Sequence, residues 1–137
     1  MGIDYGSKRV GVALSDPTGI IATGAGVLKN DDALLGRLND IVRENNVTLI
    51  VVGMPFSADG GKGPQALAVE DFIRRMKEVV HVSVDTWDES LTSVDARRVM
   101  RGSGMKRKKR QDKGRVDEMA ARLLVQEYLD HRWNTQH

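Results

Sequence analysis

The chain has 137 residues, enough to bury one hydrophobic core but not two, so a single domain over residues 1–137 is expected. It contains no cysteine, which excludes structural disulfides, thiolate zinc sites and cysteine nucleophiles. The formal net charge is only +2, and no signal peptide or long apolar run is visible. The composition therefore predicts a soluble, cytoplasmic protein with no membrane partner.

The first part of the chain predicts three strands. The opening segment reads as a short strand that reaches Asp4, and a loop at Gly6 follows it. The alternating run VGVALSD, residues 10–16, then pairs with this strand as a hairpin. The segment IATGAGVL, residues 21–28, is a third strand, although glycines weaken the pattern.

Helices and strands alternate in the next part of the chain. Apolar residues at helical spacing predict a helix within residues 31–46, with Asp31 or Asp32 as its N-cap. Two further strands are predicted at residues 47–53 and 80–87, and three further helices at about residues 65–80, 93–100 and 116–129. This order predicts an α/β fold, a mixed five-stranded sheet flanked by helices.

Acidic residues stand next to apolar strand and helix positions. Asp4 is placed at the end of the first strand, and Asp85, Asp88 and Glu89 lie at the carboxyl end of the fifth. Asp117 shares the small, apolar face of the last helix that should pack on the sheet. An unpaired carboxylate buried near a core is unfavourable, so either these acids are turn and cap residues or a positive charge lies beside them.

Carboxylates that arrive from three elements at one sheet edge would repel one another, and divalent cations relieve that repulsion. Mg²⁺ and Mn²⁺ take oxygen ligands from few carboxylates and keep waters for a phosphate. Two such ions about 3.5–4 Å apart can activate a water and stabilise the leaving oxygen in phosphodiester cleavage. Composition and spacing alone leave a metal-dependent nuclease as one hypothesis among several.

Positive charge is concentrated near the last helix. The run KRKKRQDKGR, from Lys106 to Arg115, holds seven basic residues and one acid. Such a run is either a solvated surface or the place where a polyanion binds. The predicted nucleic-acid contacts in this run are Lys106, Arg107, Lys108, Lys109, Arg110, Lys113 and Arg115.

Four ordered motifs resemble the YqgF/RuvX family, Holliday-junction-resolvase-like proteins with a ribonuclease H fold. They are GIDYGSKRVGVALSD at residues 2–16, VVGMPFSADGGKGPQA at 51–66, WDESLTSVDA at 87–96 and VDEMAARLLVQEYLD at 116–130. Together they cover nearly the whole chain. The resemblance implies a nuclease associated with the 5′ end of precursor 16S ribosomal RNA or, in some members, with four-way DNA junctions.

By this resemblance, Asp4, Glu89 and Asp117 match the presumed catalytic acids of the family and would hold Mg²⁺ or Mn²⁺. Glu89 is preferred over Asp88 because it matches the glutamate of the family pattern D-E-x-L-T. Where the family usually has a basic residue, this chain has Ser90. Three residues are expected to lie beside the acids and bind nucleic acid, the two basic ones by contacting phosphate: Ser7, Lys8 and Arg9.

The expected function is therefore metal-dependent cleavage of structured RNA or branched DNA. A junction resolvase would need paired active sites, which a homodimer would supply. A non-catalytic nucleic-acid-binding assembly factor is the alternative of another class, and the acidic trio argues against it. The opening GIDYGS also resembles the phosphate loop of actin-like ATPases, but those need two such domains.

Overall fold

A computed structural model describes residues 1–55, 61–88 and 113–136; within the last range, side chains are described for residues 118–132. The predicted helix at about 93–100 lies outside this part. The strands are β1 (Gly2–Tyr5), β2 (Arg9–Ser15), β3 (Ala22–Lys29), β4 (Leu49–Met54) and β5 (Ser83–Asp88). The helices are α1 (Leu34–Glu44), α2 (Pro64–Val79) and α3 (Lys113–Gln136).

The five strands form one sheet in the order β3-β2-β1-β4-β5. β2 runs antiparallel to both β1 and β3. β1, β4 and β5 run parallel to one another. The predicted α/β class, with a mixed five-stranded sheet of the ribonuclease H type, is confirmed.

One face of the sheet carries the larger hydrophobic cluster, beneath α1 and α2. Alternate strand residues such as Ile3, Val12 and Val52 are fully buried there. The apolar stripes of the two helices, represented by Leu38 and Phe72, cover them. This packing explains why leucine and phenylalanine recur at helical spacing in both segments.

The other face of the sheet packs against α3. Ala13 and Val51 are buried against Ala121, Leu124 and Val125. Because helices cover both faces of β4, that strand is apolar throughout, as the uninterrupted run in its sequence predicted. No helix in the described ranges combines the length and apolar character that crossing a membrane requires.

Two local predictions were wrong. Asp31 does not cap α1 through its side chain: its Oδ1 accepts the Ala33 N–H at 3.0 Å, one residue before the helix, and this helix start has no side-chain cap. α3 covers residues 113–136 rather than 116–129. The apolar repeat stops at Leu129, but the helix continues and His131 still contacts a strand residue, Trp87.

The close approach of α3 to β1 generates a stability prediction. A methyl group at Gly2 would overlap the Val125 side chain and lie 3.4 Å from the carbonyl oxygen of Ala121. We expect Gly2→Ala to lower the free energy of unfolding by about 1–3 kcal/mol, because the helix must move away from the sheet. Denaturant titration measures this change.

Gly36→Ala is the matched control. Gly36 lies inside α1 with no atom within 4 Å of an added methyl group. There alanine should raise the free energy of unfolding by about 0.5–1 kcal/mol, since glycine is a poor residue inside a helix. Equal effects of the two substitutions would contradict the close packing of α3 on β1.

Candidate active site

The parallel pairing of β1, β4 and β5 brings their carboxyl ends to one edge of the sheet. Ile3 lies opposite Val52, so the next residue, Asp4, lies beside Gly53. Gly53 in turn pairs with Trp87 in β5. Asp4 is therefore at the sheet edge where the acids were expected to meet.

Asp4 is a strand residue and not the turn residue of the alternative interpretation. It pairs with Gly11 of β2, and one more strand residue, Tyr5, follows it. Since side chains alternate along a strand, Asp4 shares the face of Gly2, which α3 covers. The residue is half-buried. Its carboxylate thus belongs to the α3 face near the end of β1.

The direction of α3 follows from two contacts with β3. Near the start of β3, Gln126 Oε1 accepts the N–H of Ala22 at 2.9 Å. Two residues further along the strand, the carboxylate of Glu118 covers Gly24. β3 runs parallel to β1, because both are antiparallel to β2. The amino-terminal part of α3 therefore points toward the carboxyl edge that holds Asp4.

This direction places the backbone of Asp117 roughly level with Asp4. The carbonyl of Ala121 lies over Gly2. Asp117 precedes Ala121 by four residues, which correspond to about 6 Å along a helix axis. Asp4 follows Gly2 by two residues, or about 7 Å along a strand. The Asp117 side chain itself is outside the described part.

The acids of β5 point in different directions. Asp88 pairs with Met54, which is buried in the α1 and α2 cluster, so Asp88 belongs to the face opposite that of Asp4. Asp85 lies on the α3 face, where the hydroxyl of Tyr128 donates to its Oδ2 at 3.0 Å. Glu89 follows directly and lies outside the described residues.

Among the described side chains, no three of His, Asp and Glu lie close enough together to hold a metal ion. Two of the three predicted ligands, Glu89 and Asp117, do not belong to that set. The three-acid site therefore stays a prediction, with only Asp4 placed as a side chain.

An aromatic cluster that the sequence did not predict joins β5 to α3. The ring of Trp87 meets Tyr128 edge-on at 5.9 Å and His131 at 5.4 Å between ring centroids. Burial, and the hydrogen bond that the Tyr128 hydroxyl donates to Asp85, raise the pKa of Tyr128. Tyr128 was visible on the apolar helix face, but nothing in the sequence linked it to β5.

The turn between β1 and β2 carries the predicted phosphate contacts. Ser7 and Lys8 are exposed in this turn, and Arg9 is half-buried at the first position of β2. The side-chain amide of Asn30 donates to the carbonyl oxygen of Gly6 at 2.8 Å, and the Asn30 N–H donates to that of Lys8 at 3.0 Å. Sequence reasoning missed Asn30, because no local pattern connects it to residue 6.

The first turn of α2 borders the same sheet edge. Gln65 Nε2 donates to the carbonyl oxygen of Tyr5 at 3.2 Å. From the same helix, the ring of Phe72 stacks on the ring of Tyr5 with centroids 4.5 Å apart and an angle of 24°. Both contacts fix the residue that follows Asp4.

The basic run precedes and enters α3. Lys113 and Arg115 lie in the first turns of the helix, without described side chains. The other predicted contacts are outside the described residues: Lys106, Arg107, Lys108, Lys109 and Arg110. The first turns of α3, which hold Lys113 and Arg115, lead toward the edge that holds Asp4.

The opposite end of the sheet holds a cleft of about 760 Å³, lined by residues that include Ser15, Asn46 and Leu129. Asp16 stands at its rim, where its carboxylate accepts bonds from the Thr18 hydroxyl and from two backbone N–H groups. These bonds lower the pKa of Asp16 to about 2. Asp16 is thus a turn residue, far along the sheet from Asp4.

Comparison with known proteins gives consistent matches along the chain. A family model described as RuvX, Holliday junction resolvase, matches residues 1–131. A relative from Ruminiclostridium cellulolyticum is 44% identical over 133 residues, 95% of this chain and 92% of the relative. A relative from Synechocystis is 40% identical, and the match covers 96% of this chain and 87% of the relative. A relative from Syntrophomonas wolfei is 39% identical, with 95% of this chain and 92% of the relative covered. All three are named "putative pre-16S rRNA nuclease". On these matches, the chain belongs to the RuvX family.

Proposed function

We propose that this protein is a divalent-metal-dependent nuclease that processes the 5′ end of precursor 16S ribosomal RNA in the cytoplasm. Membership of the family makes it a hydrolase acting on nucleic acid. The observation that carries the proposal is the position of Asp4 within β1, at the carboxyl edge and on the face that α3 covers. A pure binder of polyanions gains nothing from a half-buried carboxylate there.

Asp4, Glu89 and Asp117 would hold the divalent cations. Three observations support this set: the position of Asp4 near the carboxyl end of β1, the direction of α3 toward that edge, and the opposite orientation of the competing residue Asp88. The donors are all carboxylates, which suits hard Mg²⁺ or Mn²⁺ better than zinc or copper.

The protein side chains supply positioning and charge. When bound, the cations would activate a water and stabilise the leaving oxygen. Ser7, Lys8 and Arg9 would hold the phosphate that lies next to Asp4, since their turn is its immediate continuation. The run from Lys106 to Arg115 would attract the RNA backbone without regard to sequence.

Cleavage of four-way DNA junctions is the second candidate function, and the family description favours it. A resolvase must cut two strands, so this function would require a homodimer. A cleavage assay that compares precursor rRNA with a four-way junction, each with and without metal, decides between the two substrates. Binding without any metal-dependent cleavage would instead support the non-catalytic assembly factor.

Asp4→Asn should abolish cleavage and leave the fold intact, because an amide is nearly isosteric with the carboxylate but a much poorer ligand for a hard cation. Cleavage rates at saturating Mg²⁺ or Mn²⁺ measure the loss, and circular dichroism checks the fold. Asp117→Asn should behave in the same way.

Glu118→Gln is the control for Asp117→Asn. Its side chain covers Gly24 on β3, so it is placed away from Asp4, and its substitution should change the cleavage rate little. Normal turnover in Asp4→Asn, or equal damage from Glu118→Gln, would refute the three-acid site.

A second pair of variants tests the choice between adjacent acids. Glu89→Gln should lose cleavage, whereas Asp88→Asn should retain most of it, because Asp88 faces the α1 and α2 side of the sheet. Single-turnover rates measured on the same RNA give the comparison. The reverse order of effects would transfer the predicted ligand to Asp88.

The basic run should govern affinity and not the chemical step. Replacing Lys108, Lys109 and Arg110 with alanine should flatten the dependence of log K on log salt by up to about 0.9 per lost contact on a duplex. Binding titrations at several salt concentrations measure the slope. An unchanged slope would show that this run is a solvated surface.

A further inference from the structure

The turn between β1 and β2 is held by a side chain from another part of the chain. We infer that Asn30 is a positioning residue for cleavage, with Gln65 as a second anchor. Asn30 holds the turn that follows Asp4 in one conformation. That conformation positions both the Asp4 carboxylate and the residues predicted to contact phosphate. The inference rests on the proposed function and deepens it.

Asn30 makes two hydrogen bonds to this turn. Its side-chain amide donates to the carbonyl oxygen of Gly6 at 2.8 Å, and its backbone N–H donates to that of Lys8 at 3.0 Å. The residue is half-buried between the end of β3 and the start of α1. One residue therefore ties both ends of the turn to the sheet.

Residues 6–8 of the turn lie between the paired residues Tyr5 and Val10 and precede β2. β1 is only four residues long, and Asp4 is the residue before its last. Ser7 and Lys8 are exposed, so neither anchors the turn in the core. At Gly6 an added methyl group would come within 2.5 Å of the Arg9 carbonyl oxygen, so the backbone there is tightly closed. The bonds from Asn30 and Gln65 add to the Tyr5–Val10 pairing at the end of this short strand.

Gln65 binds the carbonyl that precedes the one bound by the Asn30 side chain. Its amide donates to the oxygen of Tyr5 at 3.2 Å, from the first turn of α2. Two successive carbonyl groups after Asp4 are thus bound by side-chain amides from two separate elements. Metal ligands and phosphate contacts must be held within about 0.5 Å of their working positions, and this pair of bonds provides that restraint.

The experiment compares Asn30→Asp with Asn45→Asp. Asn45 is the matched control, since its amide also donates to a backbone carbonyl, that of Ile41 at 2.9 Å, but at the far end of the sheet. In Asn30→Asp, the donor to Gly6 becomes an acceptor that repels the carbonyl. Asn30→Ala removes the donor without adding charge and replaces Asn30→Asp if that variant does not fold.

We expect Asn30→Asp and Asn30→Ala to lower kcat on the RNA substrate by about ten- to a hundredfold, as misplacement of reacting groups does. The thermal midpoints of the Asn30 variants should match that of Asn45→Asp. The kcat of Asn45→Asp should stay within twofold of wild type. Gln65→Leu should show a smaller loss of kcat than Asn30→Ala, because its bond is longer. Equal kcat in the Asn30 and Asn45 variants would overturn the inference.

A readout without cleavage separates this inference from the proposed function. Amide hydrogen exchange and NMR shifts of Gly6, Ser7 and Lys8, recorded without metal or RNA, should change in the Asn30 variants and not in Asn45→Asp. Unchanged exchange there overturns the positioning role whatever the activity. Absence of cleavage by the wild-type protein overturns the proposed function, while the exchange data still decide whether Asn30 orders the turn.

Discussion

The structure depends on the close packing of α3 against β1. Gly2 leaves no side chain between them, so Val125 and the backbone at Ala121 rest directly on the strand. This approach closes the smaller hydrophobic cluster and half-buries Asp4 on the same face. A carboxylate in that position is tolerated only with charged or polar partners, so the packing that stabilises the fold also creates the setting for the site.

Asp4 and the first turns of α3 approach the same sheet edge by different means. Asp4 arrives on a short strand whose end is fixed by the ring of Phe72 and by amides from Asn30 and Gln65. The first turns of α3 point to this edge because Gln126 and Glu118 fix the direction of the helix on β3. A polyanion would approach the basic run, and the acids would need cations before its phosphates could come close. This arrangement gives a physical reason for the proposed dependence on metal.

Much of the fold could be predicted from the sequence. Alternating and uninterrupted apolar runs located the five strands, since burial on one or both faces dictates those periods. The order of the elements predicted the mixed sheet. Asp4 could be singled out because a carboxylate beside an apolar strand requires a partner. Counting charges located the basic run, but it could not give the distance between that run and the acids.

Contacts between distant segments were decided only by the tertiary structure. The direction of α3 depends on Gln126 and Glu118 meeting β3, about a hundred residues earlier in the chain, and no local periodicity encodes such a pairing. The same holds for Asn30 on Gly6 and for Tyr128 on Asp85. The register of β4 with β5 placed Asp88 on the opposite face from Asp4. Residue patterns along the chain indicate which residues could form strands, helices and an acidic site. Strand pairing and the packing of α3 decide which of those residues share a face, because a shift of the register by one residue moves every side chain of a strand to the other face.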